Sequence, residues 1–170
     1  MNRSFPHNSH GFSLIEVLVT LLLTSVGILG MAAMQAKGIA YTQDSIQRNT
    51  AAMLADDLME IMRADRDRVI GVNGMPRATS GYYKDSGSFS GENNSECATL
   101  PNSPEDRLGC WVQHVSQTLP AADEFHIKAV DSSIEIQLAW QVAKGACIPD
   151  DADDADAEST TCQYTLRAEL

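Results

Sequence analysis

Glu16 has the most unusual surroundings in this sequence. It sits four residues past Phe12, inside the apolar run FSLIEVLVTLLLTSVGILGMAAMQA, and residues 17–36 after it carry no charge. An ionisable side chain inside such a run costs several kcal/mol in hydrocarbon, so it calls for a partner. Hydrolysis of the bond between Gly11 and Phe12 would create one. The new amine on Phe12 would lie one helical turn from the Glu16 carboxylate, because positions i and i+4 share a face. The amine could belong to the same chain or to a neighbouring copy, and the chemistry is ion pairing in a place of low dielectric.

Four cysteines form the second reactive group: Cys97, Cys110, Cys147 and Cys162. They allow three pairings. We expect Cys97–Cys110 and Cys147–Cys162, since the second pair closes a loop between two strands that would sit side by side; the other two pairings stay open. Each closed loop is about 15 residues, worth roughly 3 kcal/mol in the chain-entropy treatment. Disulfides require an oxidising compartment, which puts this part of the chain outside the cytoplasm. A metal site built on Cys110 and His114 is the alternative, but no second pair completes four ligands, so no metal and no cofactor is expected.

Catalytic patterns are missing. The sequence has no HExxH, no P-loop and no dinucleotide fingerprint, and the stretch from Gly87 to Gly91 has Phe89 where a nucleophilic serine would stand. We therefore expect no enzyme. With 12 basic against 23 acidic residues, the formal net charge is −11. That balance argues against a nucleic-acid partner, whose affinity rests on phosphate neutralisation.

The elements that position these residues can be read in order. The 20 uncharged positions 17–36 match a hydrocarbon thickness of roughly 30 Å. They read as one membrane-spanning helix, and with Arg3 retained in the cytoplasm the rest of the chain faces the periplasm. A cleaved secretory signal is the competing reading, with Gly30-Met31-Ala32-Ala33 as its small-residue stretch; it gives Glu16 no role. From Lys37 to about Val69, apolar residues recur at Ile39, Ile46, Met53/Leu54, Leu58, Ile61/Met62 and Val69. This spacing predicts an amphipathic continuation of the same helix. Gly27 and Gly30 either loosen the helix or allow another helix close.

Residues 71–91, rich in Gly, Ser, Asn and Pro, read as a surface loop. Ser103-Pro104-Glu105-Asp106 starts a helix, with Leu108, Trp111, Val112, Val115 and Leu119 on one face and Pro120 as its stop. Three strands follow, over residues 124–130, 133–142 and 163–169, with Asp131-Ser132 as a tight turn. The fold class is α+β: a long N-terminal helix packed on a small antiparallel sheet. The segments are 1–11, 12–36 as the spanning half of the helix, 37–70 as its amphipathic half, and 71–170 as a disulfide-stapled periplasmic head. The run Pro149 to Glu158 reads as a solvated acidic loop, with calcium as the sharper alternative although no EF-hand pattern is present. Asn93-Asn94-Ser95 fits a glycosylation sequon.

The string Gly11-Phe12-Ser13-Leu14-Ile15-Glu16 resembles the class III leader of type IV pilins and type II secretion pseudopilins. The resemblance implies that a prepilin peptidase cuts between Gly11 and Phe12 and methylates the new Phe12 amine. It further implies that Glu16 is the assembly glutamate and that a helical filament is the end product. Residues 24–35 and 47–65 are similar to minor type IV pilins, which implies partners among other minor pilins, the major pilin and the inner membrane, in twitching motility and attachment. A midspan proline found in many major pilins is absent here. The competing assignments are a minor pseudopilin of type II secretion and a membrane-tethered periplasmic binding protein.

Overall fold

The computed structural model describes residues 13–77, 79–89, 97, 99, 101–119, 121–142, 147 and 161–170. Helix α1 runs from Leu14 to Ala64. The chain divides into two compact units, Met1–Ile39 and Ala40–Leu170, and α1 contributes to both.

In the first unit every described residue is exposed. The helix is continuous through Gly27 and Gly30, and a Cβ built on either would meet nothing.

In the second unit α1 buries Asp44, Ala51, Leu54, Ala55, Leu58, Met59 and Met62. Spacings of three and four place the apolar members of this set on one face. The expected stripe is corrected here. Ile39, Ile46 and Met53 are 60–69% exposed and do not join the core. At 100° per residue, Met53 falls only about 20° from Ile46, while Leu54 and Leu58 fall about 80–120° away. The periodicity contains two apolar faces that sequence inspection merges into one.

The expected single helix to Val69 breaks at Asp65, which has φ −114° and ψ 30°. A short helix α2, Arg66–Val69, follows. The Asp65 carbonyl accepts from the Arg68 and Val69 amides, so the chain restarts at once. No glycine or proline marks the break. The Asp65 carboxylate instead accepts from the Tyr82 hydroxyl at 3.1 Å and lies 3.6 Å from Arg107 and 3.7 Å from Arg68.

Helix α3, Pro104–Thr118, begins as its sequence predicts. The Ser103 hydroxyl accepts from the Asp106 amide, Pro104 opens the first turn, and Glu105 and Asp106 meet the positive end of the helix. Its buried face is Leu108, Trp111 and Val115.

The sheet has four antiparallel strands in the order β1-β2-β3-β4: Lys84–Ser88, Ala122–Val130, Ser133–Gln141 and Thr161–Ala168. Asp131, in the left-handed region at φ 56°, turns β2 into β3. Along β3, Ile134, Ile136, Leu138 and Trp140 are buried and alternate with half-exposed Ser133, Glu135, Gln137 and Ala139. Strand β1 lies within residues expected to be loop. Its sequence, KDSGS, has little strand character, and what fits it to the edge is Gly87: a Cβ there would come within 2.2 Å of the Phe125 ring.

Helix and sheet meet in one core. Trp111 stands nearly perpendicular to Phe125, centroids 5.7 Å apart, and Phe89 completes the aromatic group at 4.9 Å from Phe125. The Trp111 indole N–H donates to the Leu54 carbonyl of α1 at 2.8 Å. This α+β arrangement agrees with the fold class expected from the sequence.

Candidate functional site

The first unit of α1 carries the chemistry that sequence reasoning singled out. Gly11 and Phe12 lie outside the described residues. Glu16 is exposed in the first turn, where the free amides of the helix start favour an acid. The Ser13 carbonyl accepts from the Glu16 and Val17 amides at 3.0 and 3.3 Å.

Thirteen large apolar side chains between Leu14 and Met34 are 46–79% exposed. Each would gain roughly 1.5–3 kcal/mol by leaving water. Together they demand an apolar surrounding that the chain itself does not supply. α1 is the one helix among the described residues long and apolar enough to cross a membrane, and its apolar window has 0% of its residues buried.

Polar groups within this stretch are satisfied locally. The Thr20 hydroxyl donates to the Val17 carbonyl at 2.9 Å, Thr24 to Thr20 and Leu21, and Ser25 to Leu22. Glu16, Thr20 and Thr24 stand at i, i+4 and i+8, a polar line on one face. Sequence reasoning passed over this line, although the four-residue spacing was there to be counted. The hydroxyls need no external acceptor, so that face suits lipid and suits a neighbouring helix.

In the second unit the four cysteines are paired. Cys97 and Cys110 are joined by a disulfide, Cα atoms 5.4 Å apart, as are Cys147 and Cys162 at 5.5 Å. Cys110 is thereby removed as a partner for His114 in metal binding. No group of three or more His, Cys, Asp or Glu able to hold a metal occurs among the described residues. His126 Nδ1 is engaged by the Asp85 carbonyl and His114 is exposed. A groove of about 650 Å³ is lined by Asp57, Glu60 and Ile61 of α1 and by Arg107, Trp111 and His114 of α3. The Asn93–Ser95 sequon and the acidic run 149–158 lie outside the described residues.

Two tyrosines behave differently. Tyr82 is fully buried, and its hydroxyl is pushed up to about 12, first by burial and then by the Asp65 carboxylate. Burial alone pushes Tyr83 up to about 12. Its hydroxyl has no hydrogen-bond partner among the described residues. Asp65, which ties α1, α2, α3 and Tyr82 together, was not legible in the sequence. An acid among Arg63, Arg66 and Arg68 looks like one more solvated charge.

Residues 6–32 match the family model described as the prokaryotic N-terminal methylation motif. That match brackets Gly11, Phe12 and Glu16. It supports a type IV pilin-like protein, pilin or pseudopilin, processed by a prepilin peptidase. The apolar helix and this leader fit a membrane-anchored precursor. No curated protein matches the chain, and no solved structure does.

Proposed function

We propose that this chain is a minor type IV pilin. It enters the inner membrane as a precursor, loses residues 1–11, is methylated at Phe12 and joins the pilus. The residues similar to minor pilins, 24–35 and 47–65, are most like the pilus modification protein PilV. On that reading the chain acts with other minor pilins to prime assembly or form the tip, and contacts the major pilin. Twitching and attachment are the processes it serves. It performs no catalysis.

The observation that carries the reading is Glu16, an acid standing inside the matched motif at the head of a stretch whose apolar residues are all exposed. Such a stretch is stable in lipid and equally stable against identical stretches. A subunit can therefore pass from membrane to filament without wetting it. Glu16 and the Phe12 amine, each costly alone in that setting, then select the register in which they meet. Segments 12–36 and 37–70 serve as filament-core and amphipathic halves of one helix, and 71–170 as a periplasmic head whose two disulfides form in the oxidising compartment.

Mass analysis of the N-terminus of protein recovered from sheared surface filaments tests this. A start at methylated Phe12 is expected. Glu16→Ala should leave cleavage intact and reduce incorporation by at least about tenfold, the value of roughly 1.4 kcal/mol of lost pairing. A chain that still begins at Met1, or Glu16→Ala incorporated like the parent, overturns the proposal. Deletion that abolishes exoprotein secretion and spares surface pili would assign the chain to a type II secretion pseudopilus instead.

A further inference from the structure

The two disulfides stand in opposite surroundings. Cys162 is 3% exposed on β4, directly across from fully buried Trp140 of β3. Its partner Cys147 is packed against the same core. Neither Cys97 nor Cys110 is part of that core. Both are half-buried, and both line the groove of about 650 Å³. Ile61 and Ala64 of α1 and Trp111 of α3 give that groove its apolar lining. The charges around it largely cancel. Glu60 pairs with Arg63 at 2.5 Å and Arg107 lies 3.6 Å from Asp65, which leaves Asp57 and exposed His114.

A disulfide opens when a thiolate approaches one sulfur and displaces the other. Access to the sulfur sets the rate together with the chemistry of the thiols. A thiolate reaches Cys97–Cys110 through the groove while the fold stays intact. Both sulfurs of Cys147–Cys162 belong to packed residues, so that packing must open before they can be approached. Opening a core element costs up to the full stability of the domain, whereas a groove is already open.

We propose that Cys97–Cys110 is a thiol–disulfide exchange site of the native protein, with a dithiol as its co-reactant, and that Cys147–Cys162 is a closed structural bond. One thiolate of the dithiol attacks a sulfur of Cys97–Cys110. That bond breaks, a mixed disulfide forms, and the displaced cysteine leaves as a thiolate and takes up a proton. The second thiolate of the dithiol attacks the mixed disulfide and releases the other cysteine, which is protonated in turn. Two electrons and two protons have then passed to Cys97 and Cys110, and the co-reactant is left as a disulfide. The reverse sequence recloses the bond. Opening it removes the tie between α3 and a residue 13 positions upstream of Cys110. α3 stays in place through Trp111, which packs on Phe89 and Phe125 and bonds the Leu54 carbonyl. The site does not depend on the filament reading, and its failure would leave that reading untouched.

The test uses the full-length chain in detergent micelles, treated separately with dithiothreitol and with reduced thioredoxin at equal thiol concentration. New thiols are trapped with N-ethylmaleimide and assigned by peptide mass. Cys97 and Cys110 should be labelled about a hundredfold faster than Cys147 and Cys162, with the near-ultraviolet spectrum unchanged. In denaturing urea the two rates should converge. Ala64→Trp sets a ring into the groove from an exposed position of α1. It should slow labelling of Cys97 and Cys110 about tenfold and leave Cys147 and Cys162 as they were. Cys97→Ser with Cys110→Ser should keep the parent's near-ultraviolet spectrum. A faster reaction with thioredoxin identifies a protein dithiol as the co-reactant, and a faster one with dithiothreitol identifies a small dithiol. Equal labelling of the two pairs, Cys147–Cys162 opening first, or no opening without urea overturns the proposal. So does a near-ultraviolet spectrum lost as Cys97–Cys110 opens or in the double serine variant, or a rate indifferent to Ala64→Trp.

Discussion

Tyr82 and Tyr83 are neighbours in sequence and opposites in energetics. The Tyr82 hydroxyl donates to Asp65, so Tyr82→Phe should cost about 1 kcal/mol and leave an acceptor under-satisfied. The Tyr83 hydroxyl is buried with no partner among the described residues, so Tyr83→Phe should be neutral or stabilising by up to about 1 kcal/mol. Urea unfolding of the two variants at neutral pH reads the difference directly. The pair also sets an alkaline limit. Both hydroxyls are raised from 10.0 to about 12, so the native state holds protons that the unfolded chain releases. Stability from this source is complete below pH 10 and is lost as pH rises through 12, because the unfolded state then binds fewer protons. Unfolding midpoints measured across this interval should fall, and should fall less in Tyr83→Phe. A flat profile would show that neither hydroxyl is held protonated by the fold.

At the scale of elements, α3 is held by its tryptophan. Trp111 fills the aromatic group with Phe89 and Phe125 and bonds the Leu54 carbonyl across to α1. Trp111→Ala removes both at once and should cost roughly 3–5 kcal/mol, read as a lowered denaturation midpoint with both disulfides intact. The sequence announced α3 because its start and stop signals are local: a capping serine, a proline in the first turn, and a proline after Leu119. Strand β3 was legible for a similar reason, since Ile134 to Trp140 alternate without interruption. Strand β1 was not, because its place depends on a ring from β2 lying over Gly87, a contact no window of neighbouring residues contains. The break at Asp65 was hidden in the same way, being tied to Tyr82 and Arg107 from distant parts of the chain. The two-faced helix failed for a subtler reason. Exposed Ile46 and Met53 obey the same period as buried Leu58, and only the packing partner tells which face is covered.

For the whole molecule, what was legible about the candidate site was its N-terminal chemistry, because Glu16 and the uncharged run after it are a linear pattern. The distribution of burial leads to a last prediction. Every buried residue among those described lies at Asp44 or beyond, and the thirteen exposed apolar side chains from Leu14 to Met34 contribute nothing to that core. The units Met1–Ile39 and Ala40–Leu170 are compact separately. A chain beginning at Ala40 and exported to an oxidising compartment should therefore fold in plain buffer, form the Cys97–Cys110 and Cys147–Cys162 bonds, and unfold cooperatively. The full-length chain should need detergent or lipid, since leaving that many apolar side chains in water costs on the order of tens of kcal/mol, several times the net stability of a domain. Sedimentation and thiol titration of both chains check this. If the shortened chain aggregates or presents free thiols, the apolar stretch is part of the folding core and not only the surface through which the protein meets membrane or neighbour.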